Sequence, residues 1–144
     1  MGRINIIDMP NNYLIWDIAS LAWTEIGIEG EEYNDHAILL RESYNSWSYI
    51  DRIIVRDVCG SFATISFTYL FVLIPIIGML FITPMPDWGY DQEYLRKRME
   101  RWERRSVLVN FLNPFRLIGY PISLYFASEL RAKLKAAFFR VESK

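Results

Sequence analysis

Apolar residues recur at helical spacing along most of the chain, and in one stretch the polar residues that should alternate with them stop altogether. In residues 12–26, Leu14, Ile18 and Leu21 fall on one face and Asp17, Ser20 and Thr24 on another, which predicts an amphipathic helix capped by Asn11 or Asn12 and ended by Gly27. The acidic run that follows reads as a loop. From Asp35, the residues Leu40, Tyr44, Trp47, Ile50 and Ile54 keep helical spacing and lead, with no Gly or Pro between, into residues 58–86, which carry no charged side chain. A continuous helix from Asp35 to Thr83 is a rod ~73 Å long at about 1.5 Å per residue.

A core helix has an outward face that carries charge to meet water, and residues 58–84 have none. Val58 to Thr83 is longer than the roughly 20 residues needed to cross a hydrocarbon layer. Ser61, Thr64, Ser66 and Thr68 can return their hydroxyls to carbonyls one turn earlier, and Pro75 and Gly78 are tolerated in membrane helices. The competing reading is a helix buried in a globular domain, and a chain of 144 residues is small for wrapping so long a helix. The pattern therefore predicts a transmembrane helix over 58–84, with Trp47, Tyr49, Trp88 and Tyr90 as interface anchors.

Beyond the span, Pro and Gly break the helix and Asp91 can cap the next one. That helix carries an apolar stripe of Leu95, Met99 and Trp102, with Glu93/Lys97 and Glu100/Arg104 as i,i+4 pairs on the wet side. Residues 106–127 are apolar but interrupted by Asn110, Asn113, Pro114, Arg116 and Pro121. A central Arg costs at least ~2.5 kcal/mol on insertion, which favours a segment on the surface or against partners over a re-entrant one. In residues 128–144, Leu130, Leu134, Ala137, Phe138 and Val141 form a stripe bordered by Arg131, Lys133, Lys135 and Arg140. Such margins suit anionic lipid headgroups, which in an inner mitochondrial membrane would be cardiolipin, and the same stripe suits a neighbouring subunit equally well.

These elements predict an all-α membrane protein with one transmembrane helix, amphipathic helices on both sides and no independent globular domain. The segments are 1–34, 35–57, 58–84, 85–105, 106–127 and 128–144. Trp47, Ile50, Ile54, Leu95, Met99 and Trp102 are expected to pack on partners, because an isolated protruding helix gains little from propensity alone.

Charge sharpens the picture. Residues 1–57 hold four Arg against ten acids, and residues 85–144 hold twelve Lys or Arg against seven acids, which suggests opposite fields on the two sides of a membrane. The first 20 residues show neither a secretory signal nor an Arg-rich transit peptide. One His and one Cys cannot assemble an ordinary zinc site, a Cys/His nucleophile or a bis-His haem. Glu31, Glu32, Asp35 and His36 cluster in the acidic loop, and a solvated loop is their simpler reading. The expectation is a chain that is no enzyme, with no catalytic residues, cofactor, metal, nucleic acid or small-molecule substrate.

The uncharged stretch followed by Pro86-Asp87-Trp88 and then Trp102-Glu103-Arg104-Arg105 resembles the ESSS-type accessory subunit of mitochondrial NADH:ubiquinone oxidoreductase. The resemblance implies a structural subunit of the membrane arm of complex I, in the mitochondrial inner membrane, surrounded by other subunits and without a redox centre. An accessory subunit of FO ATP synthase or cytochrome oxidase fits the same class, and a free single-pass regulator or adaptor is the reading from another class. The basic flank places the C-terminus in the matrix or cytosol, whereas the resemblance places it in the intermembrane space. Orientation stays open.

Overall fold

The structure of the chain, a computed structural model, describes residues 11–70, 86–87 and 89–142. Asn12 opens the first helix through its backbone: the Trp16 N–H donates to the Asn12 carbonyl at 3.1 Å, while Asn12 Oδ1 accepts the Tyr49 hydroxyl at 2.8 Å. This helix, α1 (Tyr13–Ser20), runs into a 3-10 turn at Leu21–Trp23. Gly27 then takes a left-handed φ of 69°, a conformation that a side chain would strain.

The helix α2 (Glu32–Ser43) ends where Tyr44 turns extended, and α3 (Trp47–Ile53) begins a few residues later. The rod expected without a break is therefore interrupted, with neither Gly nor Pro responsible. Tertiary contacts hold the break. The Tyr44 hydroxyl donates to the Asn11 carbonyl at 2.7 Å, and the rings of Tyr44 and Tyr49 stack at 6.0 Å. Ile54–Val58 then form a π turn, in which the Cys59 N–H reaches back five residues to the Ile54 carbonyl, before α4 (Cys59–Thr68).

Asp91 caps α5 (Gln92–Glu103) as the sequence predicts, its Oδ1 accepting the N–H groups of Glu93 and Tyr94 at 2.9 and 3.2 Å. Ser106 caps the short α6 (Val107–Phe111). Asn113 Oδ1 accepts the Phe115 N–H at 2.9 Å, and Pro114 occupies the first position of α7 (Pro114–Glu142), where no backbone donor is needed. Residues 114–127 of the Pro-broken segment and residues 128–142 of the basic one, expected as separate segments, thus share one helix ~43 Å long. Pro121 lies within it on the exposed side, next to the exposed turn of Leu117, whose carbonyl loses its donor there.

α7 runs antiparallel to α3 and α4, with Arg131 opposite Asp51, Gly119 opposite Ala63 and Phe115 opposite Phe67. The approach is closest at Gly119, where a Cβ would strike the Ala63 carbonyl oxygen. A small-residue seam follows: Ser66 and Ser123 share a hydrogen bond at 2.8 Å, and the Trp23 indole N–H donates to Ser66 at 2.9 Å. Trp23 also stacks on Phe62 at 4.6 Å.

The expected fold class needs correction. Among the described residues no helix is long and apolar enough to cross a membrane. The first part of the expected span, Cys59–Thr68, is instead walled by the Trp23 turn, α5 and α7, and Cys59, Gly60, Phe62, Ala63 and Ser66 are buried in the chain's own core. Its lack of charge therefore reflects protein on several sides, which the size of the chain had argued against. Residues 71–85 of the expected span lie outside the described residues. One contiguous core drawn from α1 to α7 replaces the expected arrangement without a globular domain. The acidic and basic halves pack together, joined by the Asp51–Arg131 pair at 2.8 Å.

Candidate functional site

The side chains singled out for partners mostly serve the chain itself. Trp47, Ile50, Ile54, Leu95, Met99 and Trp102 are all buried within this single chain. Trp47 meets Phe138 at 5.7 Å between ring centres, and Trp102 donates its indole N–H to Asp57. Of the expected interface anchors, Tyr49 is exposed with its hydroxyl on Asn12, and Tyr90 stacks on Tyr94 at 5.4 Å with its hydroxyl on the Trp23 carbonyl. Trp88 lies outside the described residues.

The C-terminal stripe is covered as well. Leu130, Leu134, Ala137 and Phe138 are buried in the core that also holds Tyr33, Ala37 and Leu40 of α2, so no apolar stripe is left there to sink into a headgroup layer. The bordering bases have protein partners: Arg131 forms a two-pronged pair with Asp51, Lys133 pairs with Glu129 at 2.5 Å and Arg140 reaches Asn34 at 3.5 Å. Lys135 is exposed beside a cleft formed with Trp47, Asp51 and Arg131.

A different cluster carries chemistry. Arg98, Arg101 and Arg105 recur at i, i+3 and i+7, which turns them toward one side of α5 and its C-terminal exit. They line a cavity of about 240 Å³ with Ser61 and Thr64 of α4, Asn110 of α6 and Arg116 of the first turn of α7. Trp102 forms its floor, and the Arg116 guanidinium lies 5.2 Å from that ring.

Arg98 and Arg116 are anchored by groups of other segments, while Arg101 Nε donates to the Lys97 carbonyl of its own helix at 3.2 Å. Arg98 donates to the Ser61 hydroxyl at 3.2 Å, the Ser61 carbonyl at 2.8 Å and the Tyr94 hydroxyl at 2.5 Å, and lies 4.3 Å over Phe62. Arg116 donates to Asn110 Oδ1 at 2.7 Å, and Asn110 in turn donates to the Trp102 carbonyl at 3.1 Å. The Arg116 Nε is buried and has no acceptor among the described residues. Arg101 and Arg105 reach the cavity from the exposed side.

No described residue lining the cavity is acidic, and none of the four arginines pairs with a described carboxylate. Burial holds the Arg98 guanidinium below its ordinary pKa, opposed by Tyr94 and Tyr90 and reinforced more weakly by Arg116 and Arg101; burial and then Arg105 lower that of Arg116. Four cations thus face one space without a counter-ion among the described residues.

The sequence carries a signal for this cluster in its charge spacing. Arg96, Lys97 and Arg104 each have a Glu four residues away and pair with it. Arg98, Arg101 and Arg105 have no acid at that spacing, so nothing on the helix surface neutralises them.

Beside the cavity the chain exposes apolar side chains that nothing described covers. Leu108 is 77% exposed, Leu112 73% and Tyr125 75%, with Val109, Phe115, Leu117 and Ile118 about half exposed or more. Comparison with protein-family models, curated proteins and solved structures finds no match for this chain.

Proposed function

We propose that the chain is a non-catalytic structural subunit that attaches a larger assembly to, or holds it at, a membrane surface through α6 and the first half of α7. The observation that carries this reading is the run of exposed apolar residues from Val107 to Tyr125 adjoining a basic cavity. Scattered surface apolar residues need no explanation, but a contiguous set on one helix pair marks a contact surface. Support for a non-catalytic role comes from where reactive groups sit: Cys59 is buried, with burial pushing its thiol up to about 12, and His36 lies on a different helix, α2.

A narrower proposal, membership of a respiratory-chain complex in the mitochondrial inner membrane with complex I first, is carried by the motif resemblance alone. Trp102 of that motif is spent on the chain's own core. Native electrophoresis of the tagged full chain, extracted from its source cells in mild detergent, tests both. The proposal expects stoichiometric co-migration with one large complex. Migration of the chain only by itself rejects the subunit reading, and co-migration with a complex outside the respiratory chain rejects the narrower one.

A further inference from the structure

Four guanidinium groups that converge without a carboxylate are costly unless something anionic joins them. Like charges close together repel, and the repulsion is least screened where the groups are buried. A single carboxylate neutralises one of the four. A phosphate group offers several acceptor oxygens around one centre, matches the planar fork of Arg and tolerates approach from several directions. The site is prepared for that: Arg98 and Arg116 are fixed by Ser61, Tyr94 and Asn110, the buried Arg116 Nε lacks an acceptor, and Arg101 and Arg105 can close from the open side.

We propose that the cavity between α4, α5, α6 and α7 binds the phosphate of an anionic phospholipid headgroup, with Leu108 and Leu112 seated in the adjoining acyl boundary. The choice of lipid over free phosphate comes from the neighbouring segment, where highly exposed Leu108, on the short helix that supplies Asn110, and Leu112, just after that helix, face outward within two residues of the cavity-lining Asn110. Basic residues flanking exposed apolar ones is the arrangement by which a helix lies in a headgroup layer without crossing it. The site rests on the membrane-surface part of the proposed function, but vesicle binding is read without any partner subunit. Its failure and that of co-migration are therefore separable.

The test uses the full chain and two sets of vesicles, phosphatidylcholine alone and phosphatidylcholine with cardiolipin, in a sedimentation assay. Binding is expected only with cardiolipin present, and it should fall steeply with salt. Arg101→Gln/Arg105→Gln, both at exposed positions, is expected to weaken binding about 30-fold, from about fivefold per cation lost at an anionic surface. Lys135→Gln, an exposed base far along α7, should change it less than about twofold. Leu108→Ser/Leu112→Ser should also weaken it, with all four arginines intact.

Equal loss from Lys135→Gln overturns the site in favour of net charge. Unchanged binding in the leucine variant, or calorimetric binding of inorganic pyrophosphate as tight as that of vesicles, overturns the lipid source and points to a phosphorylated soluble ligand or peptide. Equal binding to both vesicle types overturns the proposal altogether. Circular dichroism of each variant confirms that the fold is retained.

Discussion

The indole N–H of Trp102 donates to Asp57 Oδ1 at 3.0 Å, tying α5 to the π turn across 45 residues of chain. Both residues are buried, and Asp57 also receives the Arg56 guanidinium at 2.8 and 2.9 Å. Trp102→Phe keeps most of the ring volume but leaves a buried carboxylate short of a donor, with an expected cost of about 1–3 kcal/mol. Asp57→Asn retains an acceptor for the indole and should cost less. Urea unfolding of both variants checks the order, and an unchanged midpoint for Trp102→Phe would show that the bond contributes nothing.

Gly119→Ala should be among the most damaging single-methyl insertions in the chain. Its Cβ would meet the Ala63 carbonyl oxygen, and backbone cannot swing aside as a flexible side chain can. The two helices must separate, at a cost of about 1–3 kcal/mol or more. Gly30→Ala meets nothing within 4 Å and serves as the matched control, neutral or slightly stabilising. Thermal melts of the pair should differ by several degrees, with Gly119→Ala the lower.

Cys59 should be silent to a thiol reagent such as Ellman's reagent at pH 8 until the chain unfolds, because the side chain is fully buried beside the Ser123 carbonyl. Burial raises its pKa from 9.0 to about 12, so between those values the folded state holds a proton that the unfolded state has released. The unfolded state binds fewer protons there, and stability must fall as pH rises through that window. Tyr13, raised by burial from 10.0 to about 12, acts in the same direction. Melting temperatures measured from pH 8 to 11 should decline from about pH 9, and rapid labelling of native protein at pH 8 would contradict the burial.

Trp47→Asp/Ile50→Asp separates the structure from the sequence expectation most sharply. The sequence reading places these side chains against partners, so the double change should only block incorporation into a complex. Here both are buried within the chain, Ile50 completely and Trp47 against Phe138. Burying two unpaired carboxylates costs more than the typical 5–15 kcal/mol margin of a folded domain can absorb. Loss of helical circular dichroism in the isolated variant is expected, and a folded variant would restore the partner reading.

Local features were legible in the sequence. Asp91 and its turn, the Leu95–Met99–Trp102 stripe and the Glu93–Lys97 pair, at 2.6 Å, all follow from helical period and capping chemistry. What the stripes bury against was not legible, since an apolar face reads the same whether lipid, a partner or the chain itself covers it. Leu134 illustrates this: its spacing marks a stripe, while its burial depends on the fold bringing α2 beside α7. The arginine cavity lay between these cases. The i, i+3, i+7 spacing of Arg98, Arg101 and Arg105 stands in the sequence, but the wall of the cavity that Ser61 and Thr64 supply comes from a distant segment and depends on the fold.

The π turn at Ile54–Val58 carries one residue more than an α-helix would place in the same rise. That surplus sets the angular phase of everything after it. Wound as an unbroken α-helix, the same residues would carry α4 round by about 100° relative to α3. Gly60, Ala63 and Ser66, aligned toward Trp102, Gly119 and Ser123, would then point elsewhere, while Asp51 kept its place opposite Arg131. The irregular turn thus works as a phase shifter: it lets one long helix, α7, be met by an ion pair towards one end and by a close backbone crossing towards the other.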